Sequence, residues 1–177
     1  MRSAWSADVS VARRMRRREF SDIVSVCFGL VFCLSMLLGN VAQARTWGTK
    51  PFENDAAVSW IADLKLAGAD SIVNALKRVT DEKSGMVAAD TCSMAIAAAS
   101  IVAAARDGAT DLLDADAQSW LQSSGFKPDS KLSKQAKSAV QTCRGASRSE
   151  LYMYWMGMTN ATGWIDTVKT LLKRLED

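Results

Sequence analysis

The chain of 177 residues contains no histidine. That absence excludes Ser-His-Asp and Cys-His nucleophile systems, histidine-ligated zinc and a histidine proton shuttle, all of which need an imidazole that titrates or ligates near neutral pH. Any enzyme here would run on carboxylates, Lys, Tyr, Cys or a Ser-Lys pair. Charge of one sign is missing from most of the chain as well. Of 22 basic and 19 acidic residues, six arginines (Arg2, Arg13, Arg14, Arg16, Arg17, Arg18) and three acids (Asp8, Glu19, Asp22) precede Arg45, so the remainder, with sixteen of each sign, is formally neutral. A neutral domain has no overall field with which to gather phosphates, and nucleic acid is not an expected partner. Period-two alternation is also absent: from Thr46 onward no stretch is long enough to argue for a strand.

What is present begins with an export signal. Residues 13 to 44 supply in order a positive stretch (Arg13 to Arg18), an apolar stretch (Ile23 to Leu38) and the small-residue site Ala42-Gln43-Ala44, the three parts of a cleavable leader. The expected division is a signal peptide over residues 1–44, with a start at Met15 as an alternative, and a single helical domain over residues 45–177. Arg17-Arg18-Glu19-Phe20 partly resembles a twin-arginine export motif, which Ser21 and Asp22 do not continue. An uncleaved anchor is the competing reading of the apolar stretch, and bulky Phe32 before Cys33 argues against a lipoprotein site. The expected location is the periplasm in a host with an outer membrane and the exterior otherwise, with membrane contact only through the leader. Cys27 and Cys33 leave with it. Cys92 and Cys143 remain, and an even pair in an oxidising compartment suggests one disulfide, two buried free thiols being the alternative.

The rest reads as all-α, a compact bundle of about six to seven helices. Asn54 caps a first helix with Ala57, Trp60, Ile61 and Leu64 on one face, ended by Gly68. Asp70 caps a second, with a buried stripe of Ile72, Val73, Leu76 and Val79. The third, about Met86 to Arg106, is rich in alanine and reads as central, because small side chains let neighbouring helices approach closely. Asp111 or Asp114 starts a short fourth helix carrying Trp120 and Leu121. Pro128 and Asp129 open a lysine-rich fifth, with Leu132, Ala136, Ala139 and Val140 inward. Ser147-Arg148-Ser149-Glu150 fits a capping box for a sixth, and a last helix from about Thr162 aligns Trp164, Val168, Leu171, Leu172 and Leu175.

The segment Trp47-Gly48-Thr49-Lys50-Pro51-Phe52-Glu53-Asn54-Asp55-Ala56-Ala57, followed by Trp60 and Leu64, resembles the opening of the bacterial family called domain of unknown function 4259. Ala97-Ala98-Ala99 with Ile101 to Ala104 is similar to its alanine-rich helix, Ser149-Glu150-Leu151 with Trp155 to a later helix start, and Trp164 with Arg174-Leu175 to its end. Ser100 stands where the resemblance leads one to expect an acidic residue. The likeness implies the fold, and because the family has no established activity it implies no mechanism.

Three carboxylates, Glu53, Asp55 and Glu150, lie in those segments. Paired carboxylates can serve as acid and base in a hydrolase without histidine, while all three also fit helix starts, where acids are favourable against the dipole. Asp111, Asp114, Asp116 and Gln118 suggest a calcium loop, but Ser119 and Gly125 stand where a glycine and a glutamate are needed. Met153, Met156 and Met158 beside Tyr152, Tyr154 and Trp155 offer soft ligands for copper(I), although core packing or a protein contact is the plainer use of such a cluster. The serines and lysines from Ser130 to Lys134 have the wrong spacing for a Ser-Lys nucleophile. No metal or cofactor is expected. The expected function is a non-enzymatic, exported helical module of the cell envelope that binds another envelope or secreted protein through Tyr152, Met153, Trp155 and Met156, an inhibitor or immunity factor being one form. The alternative is a carboxylate-dependent envelope hydrolase.

Overall fold

Every residue from Ala95 to Ala104 is buried, which requires neighbours on all sides of a helix and not along one stripe. The computed structural model describes Thr46 and residues 48–176; the leader with its cleavage site, Cys27, Cys33, Arg45 and Trp47 lie outside the described residues. The described residues belong to one compact unit, Ala44–Asp177, and among them seven helices follow one another: α1 (Asp55–Ala67), α2 (Ala69–Thr80), α3 (Ala89–Asp107), α4 (Ala115–Ser124), α5 (Ser130–Cys143), α6 (Glu150–Met156) and α7 (Ala161–Arg174). Among the described residues there is no strand, only isolated bridges pairing Thr46 with Asn54 and Val87 with Ser149. The all-α expectation holds. Helix α3 touches all six others. It is long and apolar enough to cross a membrane by length and composition, and here it is the core helix.

Local chemistry sets most boundaries. Asn54, Asp114 and Asp129 each accept a hydrogen bond from the backbone N–H three residues on, at 2.8, 2.8 and 2.7 Å, satisfying donors that a helix start leaves free. The expected cap at Asp70 is not found. A single residue, Gly68, separates α1 from α2, with φ of 61°, and that joint leaves Asp70 inside the first turn of α2. Glycine is needed there because a Cβ is disfavoured at positive φ. The expected start of α3 at Met86 also moves, to Ala89, because Val87 is extended and bridged to Ser149. Leu132 packs against the core but stays half-buried, whereas Ala136, Ala139 and Val140 are fully enclosed.

Covalent and ionic ties fix the ends of α3. Cys92 in its first turn is disulfide-bonded to Cys143, the last residue of α5, at a sequence separation of 51, and both are buried. At the other end, Arg174 of α7 makes two bonds to the Asp107 carboxylate, at 2.7 and 2.9 Å, one to Asp111 at 3.1 Å, and a further one to the Ala109 carbonyl. The Arg174 hydrogen bonds, helped by the Ala109 N–H and opposed by burial, hold the Asp107 carboxyl below its usual value of 3.8.

Two outcomes follow from these ties. Replacing both Cys92 and Cys143 by alanine should lower the unfolding free energy by about 4 kcal/mol, the loop-closure entropy of a span this long; an unchanged urea midpoint would contradict it. Because the folded-state pKa of Asp107 is depressed, its stabilising contribution is complete above the unfolded value and is lost as pH falls through the folded one. The urea midpoints of wild type and Asp107→Asn should therefore differ at pH 6 and draw together in acid, as pH falls below the ordinary carboxylate range and through the depressed folded-state value.

Candidate functional site

The motif segment at the start of the domain is a closed turn. The Gly48 N–H reaches the Glu53 carbonyl at 3.3 Å and the Glu53 N–H the Lys50 carbonyl at 3.1 Å. The Glu53 carboxylate folds back to accept from the Lys50 N–H at 3.0 Å, and the Asn54 amide donates to the Pro51 carbonyl at 2.9 Å while its oxygen caps α1. A Cβ on Gly48 would run into the end of the Glu53 side chain, so a larger residue here would push the carboxylate off its place on the Lys50 N–H. Phe52 and Asn54 are buried. Thr46 and Gly48 face Ser93 and Ile96 of α3, Leu151 and Trp155 of α6 and Trp164 of α7 across a space of about 10 Å³, room for one water at most. This segment is built to seal the core, and Trp47 in it lies outside the described residues.

The second motif segment, Ser149-Glu150-Leu151, is likewise structural. Ser149 is the cap of α6, accepting from the Tyr152 N–H at 3.1 Å, and its hydroxyl lies 3.5 Å from Cys92 Sγ. The expected capping box from Ser147 is therefore corrected. The Val87 N–H donates to the Arg148 carbonyl and the Glu150 N–H to the Val87 carbonyl, at 2.8 and 3.0 Å; this ladder keeps Ser149 extended and delays the helix by two residues. Glu150, freed from the box, accepts from the Ala89 N–H at 3.3 Å and so caps α3 from a distance. Arg148 donates to the carbonyls of Glu82, Lys83 and Gly85, organising the loop after α2. In that loop the N–H groups of Gly85 and Ser84, with Arg148 nearby, hold the Glu82 carboxyl below its usual range.

The three candidate carboxylates consequently serve separate places. Glu53 closes its own turn, Asp55 is exposed in the first turn of α1, and Glu150 caps α3. The suggested calcium loop is likewise spent on local structure: Asp111 on Arg174, Asp114 on Ala117, Asp116 on Lys65 at 2.9 Å, and Gln118 on the carbonyls of Thr110 and Leu113. Among the described residues no group of three or more Cys, Asp or Glu is placed to hold a metal ion.

The remaining candidate is the cluster on α6. Trp155 stacks on Trp164 with centroids 5.7 Å apart and planes at 12°, Tyr152 meets the edge of Trp164, and Tyr154 the edge of Trp155. Trp155 is 2% exposed, so it belongs to the core and leaves the set of contact residues. Met153, Met156 and Met158 are 56%, 39% and 41% exposed, and Tyr152 is half-buried against the core. Sequence spacing grouped these side chains correctly but could not say which of them faces inward.

These features define a class: a small all-α module with one buried disulfide, its helix ends knit by side-chain caps. The chain belongs to the family described as Domain of unknown function (DUF4259), which matches residues 46–167. The match starts at the closed turn and stops inside α7, short of Arg174 and Leu175. Ser100, where an acid was expected, is buried with its hydroxyl on the Ile96 carbonyl at 2.9 Å. No curated protein and no solved structure matches the chain.

If Gly48 is glycine because of Glu53, Gly48→Ala should cost about 1–3 kcal/mol, as overpacking does, and clearly less in a Glu53→Ala background, where the crowding carboxylate is gone. Equal costs in both backgrounds, measured by urea unfolding, would show that Glu53 is not what Gly48 accommodates.

Proposed function

We propose that the chain is exported and that its helical domain works outside the cytoplasm by binding another protein, with Met153, Met156 and Met158 as the contact surface and Tyr152 at its base. The observation that carries this reading is three exposed methionines within six positions, in the same stretch of chain as the buried, stacked Trp155. Exposed apolar side chains grouped this way mark interaction surfaces more than enzyme sites, and methionine adapts its shape to a partner at little cost. The leader in residues 13–44 supports export, and so does the buried Cys92–Cys143 bond, since such bonds form and persist in oxidising compartments. A binder with no paired carboxylates fits an inhibitor or immunity factor better than the hydrolase alternative, whose Glu53 and Glu150 are committed to backbone groups of separate segments, at Lys50 and Ala89.

A photo-crosslinking residue at position 153, expressed in the native host, should give a discrete adduct in the envelope fraction, lost on Met156→Glu and absent when the crosslinker sits at Lys169 on α7. The recovered protein should begin at Arg45 with its thiols oxidised. Recovery of a chain that retains Ile23 to Leu38, or equal adducts from positions 153 and 169, would overturn the reading.

A further inference from the structure

The neutrality of the domain conceals an uneven distribution of charge. Residues 107 to 126 hold four acids and no Lys or Arg, whereas residues 127 to 148 hold six basic residues against Asp129 alone. The acids are engaged by Arg174, by Lys65 and by the capping of α4. Of the basic residues on α2 and α5, Lys137 pairs with Glu176 at 3.9 Å. Lys77, Lys127, Lys131 and Lys134 line an open groove of about 780 Å³ between those two helices, and among the described residues none of these four is in an ion pair. The acid among them, Asp129, commits Oδ1 to the Leu132 N–H. Val73 and Leu132 line the same groove and are half-buried while the four lysines are exposed, and the Gln135 amide donates to the Thr80 hydroxyl at 3.2 Å, joining the two walls.

We propose that this groove docks an acidic segment of a partner protein whose carboxylates meet the lysines and whose apolar side chains rest on Val73 and Leu132. Like charges collected on one surface repel one another, and a bound anion relieves that repulsion. The shape selects the kind of anion. A bilayer needs apolar side chains that project beyond the basic ones, and here the apolar ones are half-buried and the lysines exposed. A phosphate polymer has nothing to lay on an apolar floor. A peptide that alternates carboxylates with aliphatic side chains fits both groups, by charge complementarity to the lysines and by burial against Val73 and Leu132. The groove is formed by other helices than the methionine surface, so each assignment stands or falls alone.

The test is a titration of the purified, oxidised protein with a fluorescein-labelled peptide of alternating glutamate and leucine, followed by anisotropy. Saturable binding is expected, weakened about tenfold or more by Lys131→Gln with Lys134→Gln, as loss of close charge partners produces. Lys169→Gln with Lys173→Gln removes the same charge from α7 and should leave binding unchanged. A glutamine-leucine peptide should bind at least about tenfold more weakly than the glutamate one. Equal effects of the two lysine pairs, equal affinity for the two peptides, or tighter binding to phosphatidylglycerol vesicles or polyphosphate than to the peptide would each overturn the assignment.

Discussion

Ten consecutive residues of α3, Ala95 to Ala104, have no solvent on any side, and a helix so placed must meet two demands together. Its side chains must be small enough for its neighbours to close around it, and any polar group it carries must be satisfied internally. Alanine at six of those ten positions meets the first demand, and the back-bond from the Ser100 hydroxyl to the Ile96 carbonyl meets the second. An acid at position 100 would place a carboxylate at the middle of this packing, where charge is costly without a partner. Serine there is compatible with a sealed core.

The segments that carry the family likeness all serve this helix. The closed turn at Gly48 to Asn54 covers Ser93 and Ile96, Glu150 caps the helix at Ala89, Ser149 touches Cys92, and Trp155 and Trp164 stack beside the turn. A specific-looking sequence motif can therefore report a way of enclosing a helix and not a reaction. That accounts for why recognising the family identifies the architecture while leaving function to be sought on the surface, in the methionines of α6 and the lysines of α2 and α5.

Features governed by neighbours three or four residues apart were legible in the sequence. The caps at Asn54, Asp114 and Asp129, the stop at Gly68 and the apolar stripe of α7 all follow from local chemistry. The pairing of Cys92 with Cys143 was legible by elimination, as an even pair outside the leader. What could not be read depended on distant chain. Ser149 displaces Ser147 as a cap because Val87, far back in the sequence, bridges to it; Glu150 turns to Ala89 for the same reason. Trp155 is buried because Trp164 stacks on it, and nothing in the spacing of α6 announces that. Of the lysine groove only half was legible, the lysine-rich fifth helix, since Lys77 and Val73 come from another.

The bond between Cys92 and Cys143 also has a topological consequence. It ties the beginning of α3 to the end of α5, so both surface connections between them, around Gly108 to Asp114 and Gly125 to Asp129, lie within a covalently closed ring. A protease that nicks either connection opens the ring without releasing a fragment, and the severed pieces remain tethered at the centre of the bundle. For a protein that meets peptidases in its surroundings, a cut there is a break in the backbone with no loss of parts.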